Sequence, residues 1–203
     1  MPPAWMKTAG VPWRFHAERL VYDNPWISLR EYDAEAPTGA RTIYGVVGYK
    51  NFAIGILPLH EDGTVTLVGQ HRFPLKDYSW EIPEGGAPLE EDILAGAKRE
   101  LLEETGLKAA QWRQVLSYQL SNSVSDERGF GFIATGLTQS QAEPEATESL
   151  ALARVPFMEA LDQAVQGRIL DMISVAMLLR AYHMAHERQL PEALTEAMLR
   201  KVG

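Results

Sequence analysis

The 203-residue sequence predicts an α/β fold, a mixed β-sheet sandwiched between helices (α/β/α) with an N-terminal antiparallel β extension. Three observations predict it. Strand-like segments stand before and after one acidic amphipathic helix, the first three strand segments are consecutive, and the C-terminal part turns to helical periodicity.

Taken in order, residues 13–22 and 26–33 carry the aromatic and β-branched content of strands, with Asp23-Asn24-Pro25 as the turn between them. Residues 41–49 read as a third strand. These define an N-terminal unit, placed at 1–45, whose apolar rows need a partner surface, either the main domain at 46–203 or a second subunit. Residues 52–60 and 64–73 read as a hairpin through Glu61-Asp62-Gly63. Trp80 to Ile82 reads as a short strand and Pro83 to Gly86 as a tight loop. After the central helix, residues 111–119 and 129–135 form strands around a polar turn at 122–127. A polar loop at 139–147 leads to a strand at about 150–155, then helices at 157–165 and 171–187 and a short one within 191–201.

The central helix lies in residues 85–107, GGAPLEEDILAGAKRELLEETGL. Pro88 suits a first helical turn, and Glu90, Glu91 and Asp92 place negative charge at the positive end of the macrodipole. Leu89, Ile93, Ala97 and Leu101 recur every four residues as one apolar stripe, widened by Leu94. Gly106 can take the left-handed conformation that ends the helix. On the other face Glu100, Glu103 and Glu104 cluster at i, i+3 and i+4. Carboxylates that close repel unless positive charge sits among them. Arg99 can neutralise one. A divalent cation neutralises more, and Mg²⁺ prefers a few carboxylates together with water and substrate phosphate oxygens. The pattern points to a metal platform for a phosphate-bearing substrate.

Composition narrows the choice. A formal net charge of −8 argues against a general nucleic-acid binder, which meets phosphates with a basic face. The 46% hydrophobic content suits a globular core. No 18-residue apolar run and no signal-peptide-like start are seen, so no membrane association is expected. With no cysteine there is no disulfide or thiol nucleophile. A cytoplasmic setting is the expectation.

The spacing Gly85, Glu91, Arg99-Glu100-Leu101, Glu103-Glu104, Gly106-Leu107 resembles the Nudix box at every fixed position. The wider resemblance, over about residues 41–185, is to the ADP-ribose pyrophosphatase and nucleoside diphosphate sugar hydrolase branch. It implies the Nudix fold and Mg²⁺-dependent cleavage of a nucleoside diphosphate sugar, ADP-ribose, GDP-mannose or similar, to a nucleoside monophosphate and a sugar phosphate. Mn²⁺ is the expected substitute. By that resemblance Glu100 and Glu104 are the main metal ligands and Glu103 a shared one counted with the catalytic group. The Glu84 backbone carbonyl is another ligand, at a position where many relatives carry a small residue.

Arg72 stands twelve residues before Glu84 and matches the arginine that holds the diphosphate, with bidentate geometry suited to that task. Glu81 contacts substrate or metal-bound water, or equally pairs with Arg72 when the site is empty. The general base falls in the loop after the returning strand, where Glu148 is closest to the family position and Glu145 is the runner-up. Tyr44 and Phe130, with Trp26 and Phe132, are stacking candidates for the base or sugar. Arg128 closes Ser125-Asp126-Glu127-Arg128, which resembles a substrate-facing turn. One departure matters: the proline usual in ADP-ribose pyrophosphatases sixteen residues after the last box glycine is Asn122 here. This leaves other nucleoside diphosphate sugars open beside ADP-ribose. The alternatives are a dinucleoside polyphosphate hydrolase and a non-catalytic module that binds a nucleotide metabolite. A homodimer through the N-terminal strands is expected, with or without strand exchange.

Overall fold

The structure is a computed structural model that describes residues 2–141 and 149–200. The chain divides into two compact units, Met1–Lys50 with Leu120–Glu127, and Asn51–Gln119 with Arg128–Gly203.

The first unit is an antiparallel sheet of β1 (Arg14–Asp23), β2 (Ile27–Glu35) and β3 (Arg41–Tyr49) in that order, after a 3₁₀ turn at Ala4–Met6. The Asn24 carboxamide sets the first turn, accepting from Trp26 N at 2.9 Å and Ile27 N at 2.8 Å. The 120–127 segment joins this unit through Val47 N to Val124 O at 2.8 Å and Tyr49 N to Asp126 Oδ1 at 2.9 Å.

The second unit holds β4 (Asn51–Pro58), β5 (Thr64–Arg72), β6 (Asp77–Glu81), β7 (Glu84–Pro88), α1 (Ile93–Thr105), β8 (Leu107–Gln119), β9 (Arg128–Gln139), β10 (Ala151–Pro156), α2 (Phe157–Val165), α3 (Met172–His186) and α4 (Glu192–Met198). One mixed sheet runs β7-β4-β9-β8, with β4 parallel to β9, and a second runs β10-β5-β6. Ile54, Ile56, Phe132 and Ala134 of the mixed sheet bury against Ala97 and Leu101 of α1. Fully burying a leucine such as Leu101 is worth about 1.5–3 kcal/mol. On the opposite face, Gly55 and Gly131 leave room for Ile173 and Met177 of α3. The mixed sheet is therefore covered by a helix on each face, as the α/β/α expectation required.

Three local expectations are corrected. The hairpin expected from 52–60 and 64–73 keeps its turn, with His60 N to Thr64 O at 2.9 Å, but its arms enter different sheets. Both arms are mostly buried, so each serves as an interior strand of its own sheet rather than as half of a ribbon. The Pro83–Gly86 segment is not all loop: Glu84–Pro88 is β7, paired to β4 from Asn51↔Pro88 to Gly55↔Glu84. Consequently Pro88 ends a strand instead of starting the helix. Asp92 is the N-cap, accepting from Leu94 N at 3.1 Å and Ala95 N at 2.9 Å, a cap worth about 1 kcal/mol. Gly106 ends α1 as expected, at φ 68°.

The β4–β5 turn carries a pH dependence. Thr64 and Arg154 hydrogen bonds hold the Asp62 carboxyl down at about 2. Burial first, then the Arg154 charge, lowers the His60 imidazole below 6.5. Both folded groups take up protons at lower pH than their unfolded counterparts. The unfolded chain therefore binds more protons in those windows, and stability falls as pH falls. Wild type should lose stability progressively on the acid side of pH 6.5, and His60→Gln should flatten the start of that decline in denaturant melts. Parallel profiles would contradict the assignment. The Asp62 share, lost between 3.8 and about 2, is small because that side chain is half exposed.

Candidate active site

The site is built where α1 lies on β7. Helical spacing brings Glu100, Arg99 and Glu103 to one side, and Glu104, one step round, is buried. Arg99 spans the junction. Its Nη1 donates to Glu100 Oε1 at 2.8 Å and Glu103 Oε2 at 3.0 Å, and its Nη2 donates to the Gly86 carbonyl at 2.8 Å and Glu91 Oε2 at 3.4 Å. Arg99 and Glu91 thus fasten the helix to β7. Glu104 Oε2 accepts from the Glu84 backbone N–H at 3.0 Å. At Gly85 the Glu100 carboxylate presses onto the backbone, and any side chain there would overlap it.

A second cluster stands at the β5–β6 edge. Arg72 Nε donates to Glu81 Oε1 at 3.0 Å and Oε2 at 3.1 Å, and its Nη2 bonds both Glu81 and Glu84. Burial and then the charges of Asp171 and Glu81 push the Glu84 carboxyl well above the usual range. Burial also raises Glu81, but the hydrogen bonds from Arg72 outweigh it and hold Glu81 low. Glu84 Oε2 is buried and, among the described residues, makes no hydrogen bond of ordinary geometry, although the Glu81 carboxyl lies close enough to influence its titration. Arg72 thus holds two carboxyl groups, those of Glu81 and Glu84.

Asp171 is a neighbour of the site that stands in the sequence only as the start of a helix. It is the N-cap of α3, accepting from Ser174 N at 2.6 Å, and Ser174 Oγ accepts from Ile82 N at 2.9 Å. That pair ties α3 to the β6–β7 connection and places negative charge near Arg72 and Glu84. Only the spacing from Asp171 to Ser174 hints at it in sequence.

The donor chemistry fits a divalent cation. Hard carboxylate oxygens are gathered on one helix, a glycine makes room for one of them, and a buried oxygen of Glu84 lacks a hydrogen-bond partner among the described residues. Among the described residues no three acidic or imidazole groups already converge at ligating separation. Arg99 separates Glu100 from Glu103, and Glu104 rests on the β7 backbone.

The stacking candidates disperse. Phe132 is 3% exposed and belongs to the core beside α1, so its expected stacking role is withdrawn. Phe130 packs edge-on to Phe52 at 5.4 Å, and the Arg128 guanidinium lies over the Phe52 ring at 5.4 Å. In the first unit, the Tyr44 hydroxyl donates to the Ser123 carbonyl and its ring meets Trp13 edge-on at 5.2 Å. Trp26 is exposed. Glu145 and Glu148, the base candidates, lie outside the described residues.

A helix-backed mixed sheet carrying this acid array defines a class of phosphoanhydride hydrolases, and comparison with known proteins agrees. The NUDIX domain family matches residues 50–173, and the nucleoside diphosphate sugar hydrolase N-terminal domain matches residues 13–47. The chain belongs to the Nudix family. By that membership it is a pyrophosphohydrolase acting on nucleotide derivatives, in a family that generally works with divalent metal ions. It is 28% identical over 179 residues to the CMP-5'-(N-acetyl-N-hydroxy-3-aminopropyl)phosphonate hydrolase of Streptomyces rubellomurinus, covering 88% of this chain and 86% of that one. It is 28% identical over 159 residues to the ADP-ribose pyrophosphatase of Mycobacterium tuberculosis, covering 76% of each. The crystal structure of an ADP compounds hydrolase shares the fold, with a TM-score of 0.80 over 90% of this chain and 98% of that one at 18% identity.

Proposed function

We propose that this protein hydrolyses the pyrophosphate bond of a nucleoside diphosphate sugar, ADP-ribose, GDP-mannose or similar, to a nucleoside monophosphate and a sugar phosphate. The observation that carries the reading is the seating of Glu100 against Gly85 and of Glu104 against the Glu84 backbone, beside the arginine-bearing β5–β6 edge. Glu100 and Glu104, with Glu103 and the Glu84 main chain, would hold Mg²⁺, or Mn²⁺ in its place. Bound there, the cation offsets phosphate charge and acidifies water.

The protein's own groups do the rest. Arg72 exchanges Glu84 and Glu81 for the diphosphate, gaining the bidentate contact that a guanidinium suits. Arg99 and Glu91 hold α1 in place while charge moves. Glu148, with Glu145 as second choice, takes the proton from the attacking water. Phe130, Tyr44 and Arg128 remain proposed substrate contacts. Assaying a panel of nucleoside diphosphate sugars with Mg²⁺ and then Mn²⁺ tests the reading. Release of monophosphate from at least one supports it, whereas ATP or ADP released from dinucleoside polyphosphates alone would favour the alternative hydrolase. Tight binding without product would favour a non-catalytic module.

The first unit is proposed to pair with a second copy. All ten β1 residues are exposed, as are Trp5, Trp13, Phe15, Trp26 and Ile43, more apolar surface than a monomer usually shows. Sedimentation at micromolar concentration should give a homodimer, and a monomer would count against this. No helix among the described residues is long and apolar enough to cross a membrane, and a cytoplasmic setting is proposed.

A further inference from the structure

Beside the Nudix-box helix, between α1 and the start of β8, lies an open groove of about 550 Å³, within the size range of small-molecule clefts. Lys98 and Lys108 stand exposed along it, with Leu102 and Trp112 as its apolar walls. The Trp112 indole is fixed, its N–H donating to the Ala109 carbonyl at 3.2 Å and its ring edge-on to Phe132 at 6.3 Å. Arg99 and Glu103 also line the groove, paired at 3.0 Å, with the same guanidinium shared with Glu100 and Glu91. Neither lysine makes an ion pair or side-chain hydrogen bond with another described residue. In a chain of net charge −8, two ammonium groups without an ion-pair partner among the described residues share a concavity with one indole.

We propose that this groove binds a phosphate monoester carried on a planar ring system, of the nucleoside 5′-monophosphate class, separately from the site where Arg72 holds a diphosphate. The lysines meet the phosphate as mobile point charges, and the indole and Leu102 cover the ring. Because Arg99 and Glu103 belong both to the groove and to the acid array, a ligand there reaches the helix that positions Glu100.

The test is tryptophan fluorescence of the full chain in EDTA, titrated with AMP and separately with inorganic phosphate. A saturable AMP signal is expected that Trp112→Phe removes and that Arg72→Ala leaves in place. Lys98→Glu with Lys108→Glu should weaken AMP about tenfold or more, as loss of charged contacts predicts. Both lysines are exposed, so the double variant should fold and retain hydrolysis. The proposal is overturned by no saturable signal, by a signal that the double lysine variant does not weaken, or by one lost in Arg72→Ala. Inorganic phosphate binding as tightly as AMP would also overturn it, since the ring would then contribute nothing.

Discussion

Glu104→Gln is expected to lower turnover by about a hundredfold or more, since even groups that only orient metal ligands cost up to that much when lost. The fold should survive. Glutamine keeps a side-chain oxygen to accept the Glu84 N–H, now bonded at 3.0 Å, in the same buried space. What it removes is the negative charge. The measurement is turnover at saturating Mg²⁺ alongside a thermal melt. Unchanged turnover in a folded variant would remove Glu104 from the chemistry, and a collapsed melt would make its role structural.

Gly85→Ala should be nearly as damaging without touching a charge. A methyl at 85 overlaps the Glu100 carboxylate, so either Glu100 swings off the β7 backbone or β7 shifts from β4. The Glu100 carboxylate is the far end of a flexible side chain, so the fold gives way at small cost, but the carboxylate proposed to hold the metal is displaced. Gly86→Ala is the contrast. A methyl there meets the end of the Asn51 side chain at 3.1 Å, which can give way, so its melting temperature should stay near wild type. Equal loss of activity and stability in both variants would mean that the glycines serve the strand rather than the carboxylate.

How much of this could be read beforehand depends on what each segment's own residues say. The Gly106 stop, the Ile93, Ala97 and Leu101 stripe and the acid face of α1 are local properties of 93–106, whereas its start falls at Asp92 rather than Pro88; α2 begins and ends where its periodicity predicts, at Phe157–Val165. The strand at Glu84–Pro88 was hidden because EGGAP has turn composition. It is a strand only because β4 offers it a ladder, and because Gly85 must lack a side chain beneath Glu100. The split of β4 from β5 was hidden for a related reason: a turn signal fixes the reversal of the chain, not which sheet each arm joins. The Arg72–Glu81 pairing is one of the alternatives the sequence leaves open for Glu81. The added grip of Glu84 and the nearness of Asp171 depend on α3 returning to the β6–β7 connection, which no local pattern encodes.

Arg72→Ala should raise KM with a smaller change in kcat if Arg72 holds the diphosphate equally in ground and transition states. A fall in kcat alone would instead place its effect in the transition state. The most direct trial of the whole account is Mn²⁺ binding, followed by electron paramagnetic resonance, in wild type and in Glu100→Gln with Glu104→Gln. Saturable Mn²⁺ binding in the wild type and its near loss in the folded double variant is the predicted result. Equal binding in both would mean that the carboxylates on this helix do not grip the cation, and the catalytic reading would be contradicted.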